Sequence, residues 1–449
     1  MLKFRTGFFA LGLLCTTPVL GLAETSQTQF TVLDVAIEQA GTYVVSMWVP
    51  FGSTSDSVPG IAHVMEHLKF KADDGHGFVA FDAIPGSSAN AATTYRYTRF
   101  DLSVPPAGLI KAMQSLADMT KPLKVTEADL QTEKKVVQQE LLQRTQSDPD
   151  TQFYSDFYSE LFKGLPLERP PGGTLADVEK VEMTDVLAFD AKHYQGTRAF
   201  VQIIGPVLND EQKKAVATIF ANPTKGAILV DHKFNVSHAD KNLIPLPAFL
   251  PPLDPVSIEP AQFERSKISD RARGVKLSVS KIIAAPTPWS AVAAASVLQD
   301  AIRSRLPVGL RDKIADDANL VQSWSVSIDR LVDGVWQLNF SATVQNGVDQ
   351  TVVQKTFENY LSDFAKTGMN ATDFDRLRKR YFLTSEWENA GNHAMSIGAN
   401  TVNAGYKIAS SFLDQINDLK LDDVNSLLVV LNKPGRVGVA IVNPKGAAQ

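Results

Sequence analysis

The stretch Pro59-Gly60-Ile61-Ala62-His63-Val64-Met65-Glu66-His67-Leu68 decides how this chain of 449 residues is interpreted. Pro59 can open a helix, and the residues after it are apolar almost all the way around, which predicts a buried helix. The polar exceptions are His63, Glu66 and His67. The two histidines are four residues apart and project from one helix face, with Glu66 beside them.

This trio suits a metal site. Two imidazoles on adjacent helical turns can bind one zinc ion, and a neighbouring carboxylate that is not a ligand can take a proton from the metal-bound water. The alternative is a pair of core histidines with a glutamate that holds them. Three polar groups on an otherwise apolar helix are costly to desolvate without a cation, so the pattern favours the metal.

A second helical pattern runs from Thr126 to Arg144 and offers a third ligand. Its inward stripe steps by three and four residues through Leu130, Glu133, Val137, Glu140 and Leu141. Burying the two glutamates as ions would be expensive without a partner, so a positive group should face them. Alternatively the stripe is an edge with both carboxylates solvated. The stripe alone does not decide between these two interpretations. Because the helix with His63 and His67 already suggests a metal site, we favour a metal as the positive partner.

Strand and helix periods alternate along the chain. Residues 43–49 form an apolar strand run, and Phe100, Leu102 and Val104 keep a period of two, whereas residues 109–117 keep a helical period. Strands followed by helices in each half predict an α+β fold, in which helices pack on one face of a sheet.

The chain divides into two halves that resemble each other. Seven prolines lie between Asn222 and Glu264, which predicts a stiff, extended linker without regular structure. A shift of 238 residues places Arg198 on Arg436 and the strand run 199–205 on 437–443 without a gap. Chance can give several such matches, so the duplication is a hypothesis at this point.

Residues 1–23 have the features of a secretory signal peptide: Lys3 and Arg5, an apolar run, and a small-residue cleavage site ending at Ala23. An uncleaved membrane anchor is the alternative. Thr16-Thr17-Pro18 ends the apolar run well short of the roughly 20 residues that a membrane span needs. We therefore expect export to a bacterial periplasm and no stable membrane anchor.

Composition narrows the class of protein. Hydrophobic residues make up 44% and charged residues 21%, which excludes a disordered or collagenous chain. The 44 basic and 49 acidic residues give a net charge of −5, which argues against a broad surface for nucleic acid. The single cysteine, Cys15, excludes a disulfide framework and a cysteine zinc site, and it lies in the expected signal peptide.

His63-Val64-Met65-Glu66-His67 is the inverted zinc motif H-x-x-E-H. With it, the sequence resembles the insulinase/pitrilysin family of zinc metallopeptidases, which includes the mitochondrial processing peptidase. The similarity covers most of residues 28–210 and extends more faintly into the second half. Further segments follow the family pattern in order: Gly60-Ile61-Ala62, Leu68-Lys69-Phe70-Lys71, Ser88-Ala89-Asn90-Ala91 with Thr93, residues 133–140, Gly172-Gly173-Thr174, Phe189 and Tyr194.

The resemblance implies a particular architecture. It is an α+β fold of two homologous domains, LuxS- and processing-peptidase-like, each a mostly antiparallel sheet with helices packed on one face. The expected division is an N-terminal zinc-binding peptidase domain at 24–222, the proline-rich linker at 223–264 and a C-terminal homologous domain without zinc at 265–449.

Carried over by position, the resemblance also implies a site. His63, His67 and Glu140 would bind one Zn²⁺ per chain, and a water would fill the fourth position. Glu66 would be the catalytic general base that activates this water against a peptide carbonyl. Glu133 would be an outer carboxylate that orients a histidine or the ligand helix.

The resemblance further implies where substrate binds. Asn90 and Ala91 match the family segment that holds an extended peptide as an added strand on a sheet edge. Asn90 could equally be an ordinary turn residue. Arg311 resembles the arginine with which the family's silent domain grips substrate, although the tyrosine expected downstream is absent between Ala318 and Trp324.

The second half should not bind zinc. When Asp129 is set against Asp373, Leu377 and Thr384 fall where Glu133 and Glu140 stand, and no histidine occurs between residues 270 and 330. One active and one silent domain is the family's habit.

The function implied is that of a periplasmic zinc-dependent endopeptidase that hydrolyses peptides or unfolded segments. The alternative is a low-activity scaffold or partner subunit of a heterodimeric peptidase of this family. We expect a dimer and favour a related family subunit over a second copy of this chain, because that subunit would supply the missing arginine and tyrosine.

Overall fold

A computed structural model of the chain describes most residues after the N-terminal segment. The expected signal peptide and Cys15 lie outside the described part. The described residues are 27–37, 40–71, 84–147, 150–221, 223–230, 236–239, 246, 248–251, 256–285, 291–332, 334–385, 395, 397–399, 401–403 and 412–446. Among them, no helix combines the length and the apolar character that a membrane span requires.

The first half is built on a seven-stranded mixed sheet. Its strands are β1 (Gln29–Ile37), β2 (Tyr43–Val49), β3 (Ser88–Thr93), β4 (Thr98–Val104), β5 (Arg198–Gly205), β6 (Thr224–Val230) and β7 (Val236–Ala239). They lie in the order β3-β4-β2-β5-β1-β6-β7. Strand β1 is parallel to β5 and β6, and the other neighbours are antiparallel.

Helices of the first half bury one face of this sheet. They are α1 (Ile61–Lys71), α2 (Leu109–Asp118), α3 (Glu127–Ser147), α4 (Thr151–Leu161), α5 (Leu175–Glu179), α6 (Met183–Phe189) and α7 (Asp210–Ile219), with short 3-10 turns at Ser53–Ser55 and Pro106–Gly108 and a π-turn at Asp190–Tyr194. Met47 and Phe100 of the sheet share one buried cluster with Val64 and Leu68 of α1 and Leu130 of α3. The core therefore lies between sheet and helices, as the periods predict.

The second half repeats this plan. Its strands are β8 (Ala261–Ser269), β9 (Lys276–Ala284), β10 (Val321–Val332), β11 (Val335–Val344) and β12 (Arg436–Pro444); its helices are α8 (Ala291–Arg303), α9 (Gln350–Thr367), α10 (Ala371–Ser385), α11 (Phe412–Asp418) and α12 (Leu421–Asn432), with a π-turn at Asp312–Asp316. The order β10-β11-β9-β12-β8 matches β3-β4-β2-β5-β1 strand for strand. Because β5 and β12 hold equivalent places, the shift of 238 residues reflects a true duplication of topology.

Local patterns located the elements well. The run 43–49 is β2, and the alternating Phe100, Leu102 and Val104 are fully buried in β4. The two helical periods correspond to α2 and α3. The α+β class is confirmed.

The stretch 223–264 differs from the prediction of a linker without regular structure. Residues of this stretch form β6 and β7 of the first sheet, and its last four residues open β8 of the second. The physical reason is that the prolines are unevenly spread. No proline stands between Pro223 and Pro245, and that gap contains the apolar run 227–230.

Each sheet also has a second covered face, which the prediction of helices on one face did not include. On the first sheet, Trp48 and Phe200 pack with Phe249 and with Ile397 and Val402 from the second half. The backbone N–H of Phe249 donates to the carbonyl of Val402 at 3.0 Å. A segment of the second half thus closes the back of the first sheet.

A helix of the first half covers the second sheet in the same way. Phe157 of α4 is fully buried against Ile282 of the second sheet. The Arg436 guanidinium donates to the carbonyls of Leu161 and Lys163, both at 2.8 Å. The two halves therefore exchange covering segments: α4, which follows α3, covers the second sheet, and Ile397 and Val402, which follow α10, cover the first.

Candidate functional site

The start of α1 is fixed from outside the helix. The Asp56 carboxylate accepts hydrogen bonds from the backbone N–H groups of Gly60 at 2.7 Å and Ala62 at 3.1 Å. Gly60 has φ +86°, and a Cβ on Gly173 would lie 3.0 Å from the Gly60 Cα. Burial raises the pKa of Asp56 to about 7, against the lowering effect of the two backbone bonds, and the charge of Asp177 adds to the rise.

The two histidines of α1 point at one carboxylate oxygen of α3. Nε2 of His63 is 3.4 Å from Oε2 of Glu140, and Nε2 of His67 is 3.5 Å from the same atom. The hydrogen bond from His63 lowers the pKa of Glu140 to about 2, although burial opposes it, and the charges of His63, Arg144 and His67 also contribute. The two helices therefore bring three donor atoms to one point.

These donors fit a zinc ion. Zinc bonds of about 2.0–2.1 Å in a tetrahedron separate two ligand atoms by about 3.3 Å. The observed 3.4 and 3.5 Å are close to that value. Nδ1 of His63 is buried and has no hydrogen-bond partner among the described residues, so Nε2 is the nitrogen presented to the shared point.

Glu66 lies next to the same point but is engaged differently. One ligand-type atom from each of His63, Glu66 and His67 lies within 4.8 Å of the others. The carboxylate of Glu66 accepts a hydrogen bond at Oε2 from the Thr93 hydroxyl at 2.6 Å. Glu140, not Glu66, is the carboxylate within 3.5 Å of both Nε2 atoms, so the geometry favours Glu140 as the third ligand.

Glu133 supports His67 from behind. Its Oε2 lies 3.4 Å from Nδ1 of His67, and its Oε1 lies 3.0 Å from Nζ of Lys71. Burial lowers the pKa of His67, but the bond to Glu133 and the charges of Glu66 and Glu140 outweigh burial and raise it. Glu133 thereby turns Nε2 of His67 toward Glu140.

Positive groups do face both stripe glutamates, as the sequence predicts. Lys71 pairs with Glu133, and the Arg144 guanidinium pairs with Oε1 of Glu140. The side chain of Glu133 is 12% exposed and that of Glu140 is 34% exposed. The alternative of two freely solvated carboxylates is therefore wrong for Glu133 in particular.

A cavity of about 890 Å³ opens in front of these residues. His63, Glu66 and Glu140 lie in its wall. The other walls come from Ala91, Ala92 and Thr93 of β3, from Tyr154, Tyr158 and Phe162 around α4, and from Leu331 and Gln337 of the second half. Both halves thus shape the cavity.

The expected substrate residues lie at different places. Ala91 lines the cavity, and Asn90 is an exposed residue within β3, opposite Asp101, rather than a turn residue. Strand β3 is the edge of its sheet, and no strand among the described residues pairs with its outer side. Arg311 is exposed, pairs with Asp316 at 3.1 Å, and is not part of the cavity wall.

The second half has an apolar residue where the first has a glutamate. Leu377 of α10 is 3% exposed and packs in the second core. That the second half does not bind zinc stays a prediction.

A buried ion pair that was not predicted from the sequence joins α1 to the π-turn at Asp190–Tyr194. Nζ of Lys69 lies 2.5 Å from Oδ1 of Asp190, and each side chain is 2% exposed. The same ammonium group donates to the carbonyl of Lys121 at 3.0 Å and lies 4.5 Å from the ring centre of Tyr194. The one available signal was a lysine within an otherwise apolar helix.

Comparison with known families decides the relationship. The protein-family model described as Insulinase (Peptidase family M16) matches residues 32–174. A second family model, described as Peptidase M16 inactive domain, matches residues 180–381. The chain belongs to the insulinase family. Within M16, the first match covers the histidine helix and the ligand helix, and the second covers most of the duplicated half.

Similarity to individual M16 proteins supports the family assignment. The Zinc protease PqqE of Helicobacter pylori is 29% identical over 182 residues, which are 39% of this chain and 41% of that protein. The match thus spans less than half of that relative's length. A crystal structure of a protease from Helicobacter pylori has a TM-score of 0.71 at 19% identity, with 94% of this chain and 98% of that one covered.

A longer M16 structure has the same fold over part of its length. The periplasmic protease PqqL from Escherichia coli matches with a TM-score of 0.67 at 13% identity. The match covers 92% of this chain but 46% of that chain. At such identity the likeness concerns the fold.

Proposed function

We propose that this chain is a zinc-dependent endopeptidase that hydrolyses peptides or unfolded segments. The observation that carries the proposal is the approach of two imidazole Nε2 atoms to one oxygen of Glu140, at 3.4 and 3.5 Å, in the wall of a cavity that also contains Glu66. Zinc bound there would polarise the scissile carbonyl and acidify the attacking water.

The protein residues divide the remaining work. His63, His67 and Glu140 would hold the ion, and Glu133 would keep His67 in the tautomer that presents Nε2. Thr93 engages Oε2 of Glu66, so Oε1 is the oxygen that would take the proton of the attacking water. Glu66 would then return this proton to the leaving amine.

The edge strand β3 supports the choice of an extended substrate. Because no strand of the described residues pairs with its outer backbone groups, an added strand could form main-chain hydrogen bonds there, which suits a peptide of any sequence. Ala91 and Ala92 have small side chains and lie in the cavity wall. A peptide can therefore lie close to β3 and reach Glu66, whereas a folded substrate has no free strand to offer.

Location and assembly belong to the same proposal. The signal-peptide features of residues 1–23 support export to the periplasm, the compartment named for PqqL. This chain covers about half of PqqL, so a second, related chain in a dimer would supply the equivalent of the other half. That partner would provide the substrate-gripping arginine and tyrosine.

The test uses the mature chain from residue 24 onward. The protein is stripped of metal with a chelator, one equivalent of zinc is restored, and cleavage of a mixed peptide library is followed by mass spectrometry, with Glu66→Gln as the matched control. We expect zinc-dependent cleavage by the wild type and almost none by the variant. Light scattering with and without co-purified partners gives the assembly.

The competing function predicts another outcome. A low-activity partner subunit would bind zinc at one equivalent per chain yet cleave nothing alone, and its complex with the related chain that co-purifies with it would cleave peptide equally well when this chain carries Glu66→Gln. That result would overturn the peptidase proposal.

A further inference from the structure

Glu66 stands at the end of a short row of hydroxyl groups. The Thr93 hydroxyl donates to Oε2 of Glu66 at 2.6 Å. The Thr93 and Thr98 hydroxyl oxygens lie 3.3 Å apart, and either can be the donor. The Thr98 hydroxyl also lies 3.2 Å from the carbonyl oxygen of Phe51, to which it can donate. The row therefore runs from a carboxylate through two hydroxyls to a backbone carbonyl.

The surrounding structure holds the oxygen atoms of this row in place. Thr93 and Thr98 are the last facing pair of the β3–β4 hairpin, and Thr98 is fully buried. Beyond them, the carbonyls of Thr94 and Tyr95 accept from the N–H groups of Ser53 and Thr54, both at 3.0 Å. The hairpin is therefore tied to the chain that follows Phe51. A fully buried Thr98 leaves little room for water to replace it.

We propose that Thr93 and Thr98 form a hydrogen-bond row that anchors Oε2 of Glu66 and thereby positions this carboxylate beside the metal site. The inference rests on the proposed peptidase function, in which Glu66 takes a proton and returns it. Neither threonine touches His63, His67 or Glu140 in the described contacts, so both are positioning residues for the base and not for the metal. Their location on β3 also links the base to the strand that would hold substrate.

The test separates the hydroxyl from the shape of the side chain. Thr93→Val and Thr98→Val keep the volume and remove the hydroxyl, and Thr93→Ser keeps the hydroxyl. We expect Thr93→Val to lower kcat by about 10- to 100-fold with KM nearly unchanged. Thr98→Val should lower kcat less, and Thr93→Ser should restore most of it.

A double variant tests the order of the row. Because Thr98 acts on Glu66 through Thr93, Thr93→Val/Thr98→Val should lose no more kcat than Thr93→Val alone. Zinc content per chain and the peptide affinity of the zinc-free protein should stay at wild-type values. These readouts distinguish lost positioning from a damaged fold or metal site.

The outcomes are distinguishable from failure of the proposed function. If the zinc-loaded wild type cleaves no peptide, the peptidase proposal falls first. If the wild type is active and Thr93→Val retains its kcat, or Thr93→Ser loses as much as Thr93→Val, the row is wrong. A multiplicative loss in the double variant would show that Thr98 acts independently and would also overturn it.

Discussion

Gly172 packs against the imidazole of His63 so closely that a Cβ on Gly172 would lie 3.2 Å from Nδ1. That approach leaves Nδ1 buried without a hydrogen-bond partner among the described residues. The ring is therefore held by contact on its Nδ1 side and by Glu140 on its Nε2 side. The Gly172-Gly173 pair thus has a role at the site, because both glycines let a loop approach α1.

Gly172→Ala should weaken zinc binding. A contact of 3.2 Å is too short for a methyl group, and a second one to Leu141 at 3.3 Å closes the other direction, so His63 must shift. We expect a loss of about tenfold in zinc affinity, measured by competition with a chelator. Gly41→Ala is the matched control, because a Cβ there meets nothing within 4 Å. Equal affinity in both variants would mean that the loop does not position His63.

Asp56 should give stability a distinct pH dependence. Burial raises its pKa from 3.8 to about 7 in the folded chain, so between about pH 4 and 7 the folded state keeps a proton that the unfolded state has lost. The free energy of unfolding should therefore fall as the pH rises through this window. Asp56→Asn cannot titrate and should lack this contribution.

The comparison is made by urea unfolding of both proteins at several pH values. The difference between them should change by up to about 1.4 kcal/mol per pH unit between about pH 4 and 7, and should level off on either side. Burial also raises the pKa of Asp34 to about 7. Because Asp34 is present in both proteins, its contribution cancels in the difference between their free energies of unfolding. A constant difference across the range would contradict the raised pKa of Asp56.

Phe157 should matter for the stability of the whole chain. It is fully buried between α4 and the second sheet, and a Cβ on Gly438 would lie 2.7 Å from its ring. Phe157→Ala should therefore lower the free energy of unfolding by about 3–5 kcal/mol. Val429→Ala, at a side chain that is 54% exposed, should cost no more than about 0.5 kcal/mol. A loss below about 1 kcal/mol for Phe157→Ala would show that the exchanged segments do not hold the halves together.

The parts of the site that lie within one helix could be predicted from the sequence. His63, Glu66 and His67 share a helix face because of their spacing, and Glu133 and Glu140 stand out because they interrupt an apolar stripe. Strands β2 and β4 followed from their periods. In each case the information is local, since it depends on residues within a few turns of one another.

Contacts between distant segments could not be predicted in this way. The Thr93 hydroxyl reaches Glu66 across 27 residues, and Arg436 reaches the Leu161 carbonyl across 275. The proline content of residues 223–264 likewise led to the wrong prediction that this stretch has no strands. Proline content is an average over the stretch, whereas a strand such as β6 or β7 needs only a short run free of proline. Which distant segments of the chain lie beside each other is determined by the packing of the whole molecule.

The most direct test of Glu66 as the base and Glu140 as the zinc ligand compares zinc retention in two variants that each change one carboxylate to an amide. Glu140→Gln alters the oxygen that lies within 3.5 Å of both Nε2 atoms, whereas Glu66→Gln alters a group bonded to Thr93. Dialysis against a graded zinc chelator, followed by metal analysis, gives the affinity of each. Peptide cleavage is measured on the same samples.

We predict that Glu66→Gln keeps one zinc per chain at wild-type affinity and loses activity by about a hundredfold or more. Glu140→Gln should release zinc at chelator concentrations that leave the wild type loaded. Equal zinc loss in the two variants, or loss in Glu66→Gln alone, would contradict the assignment of base and ligand.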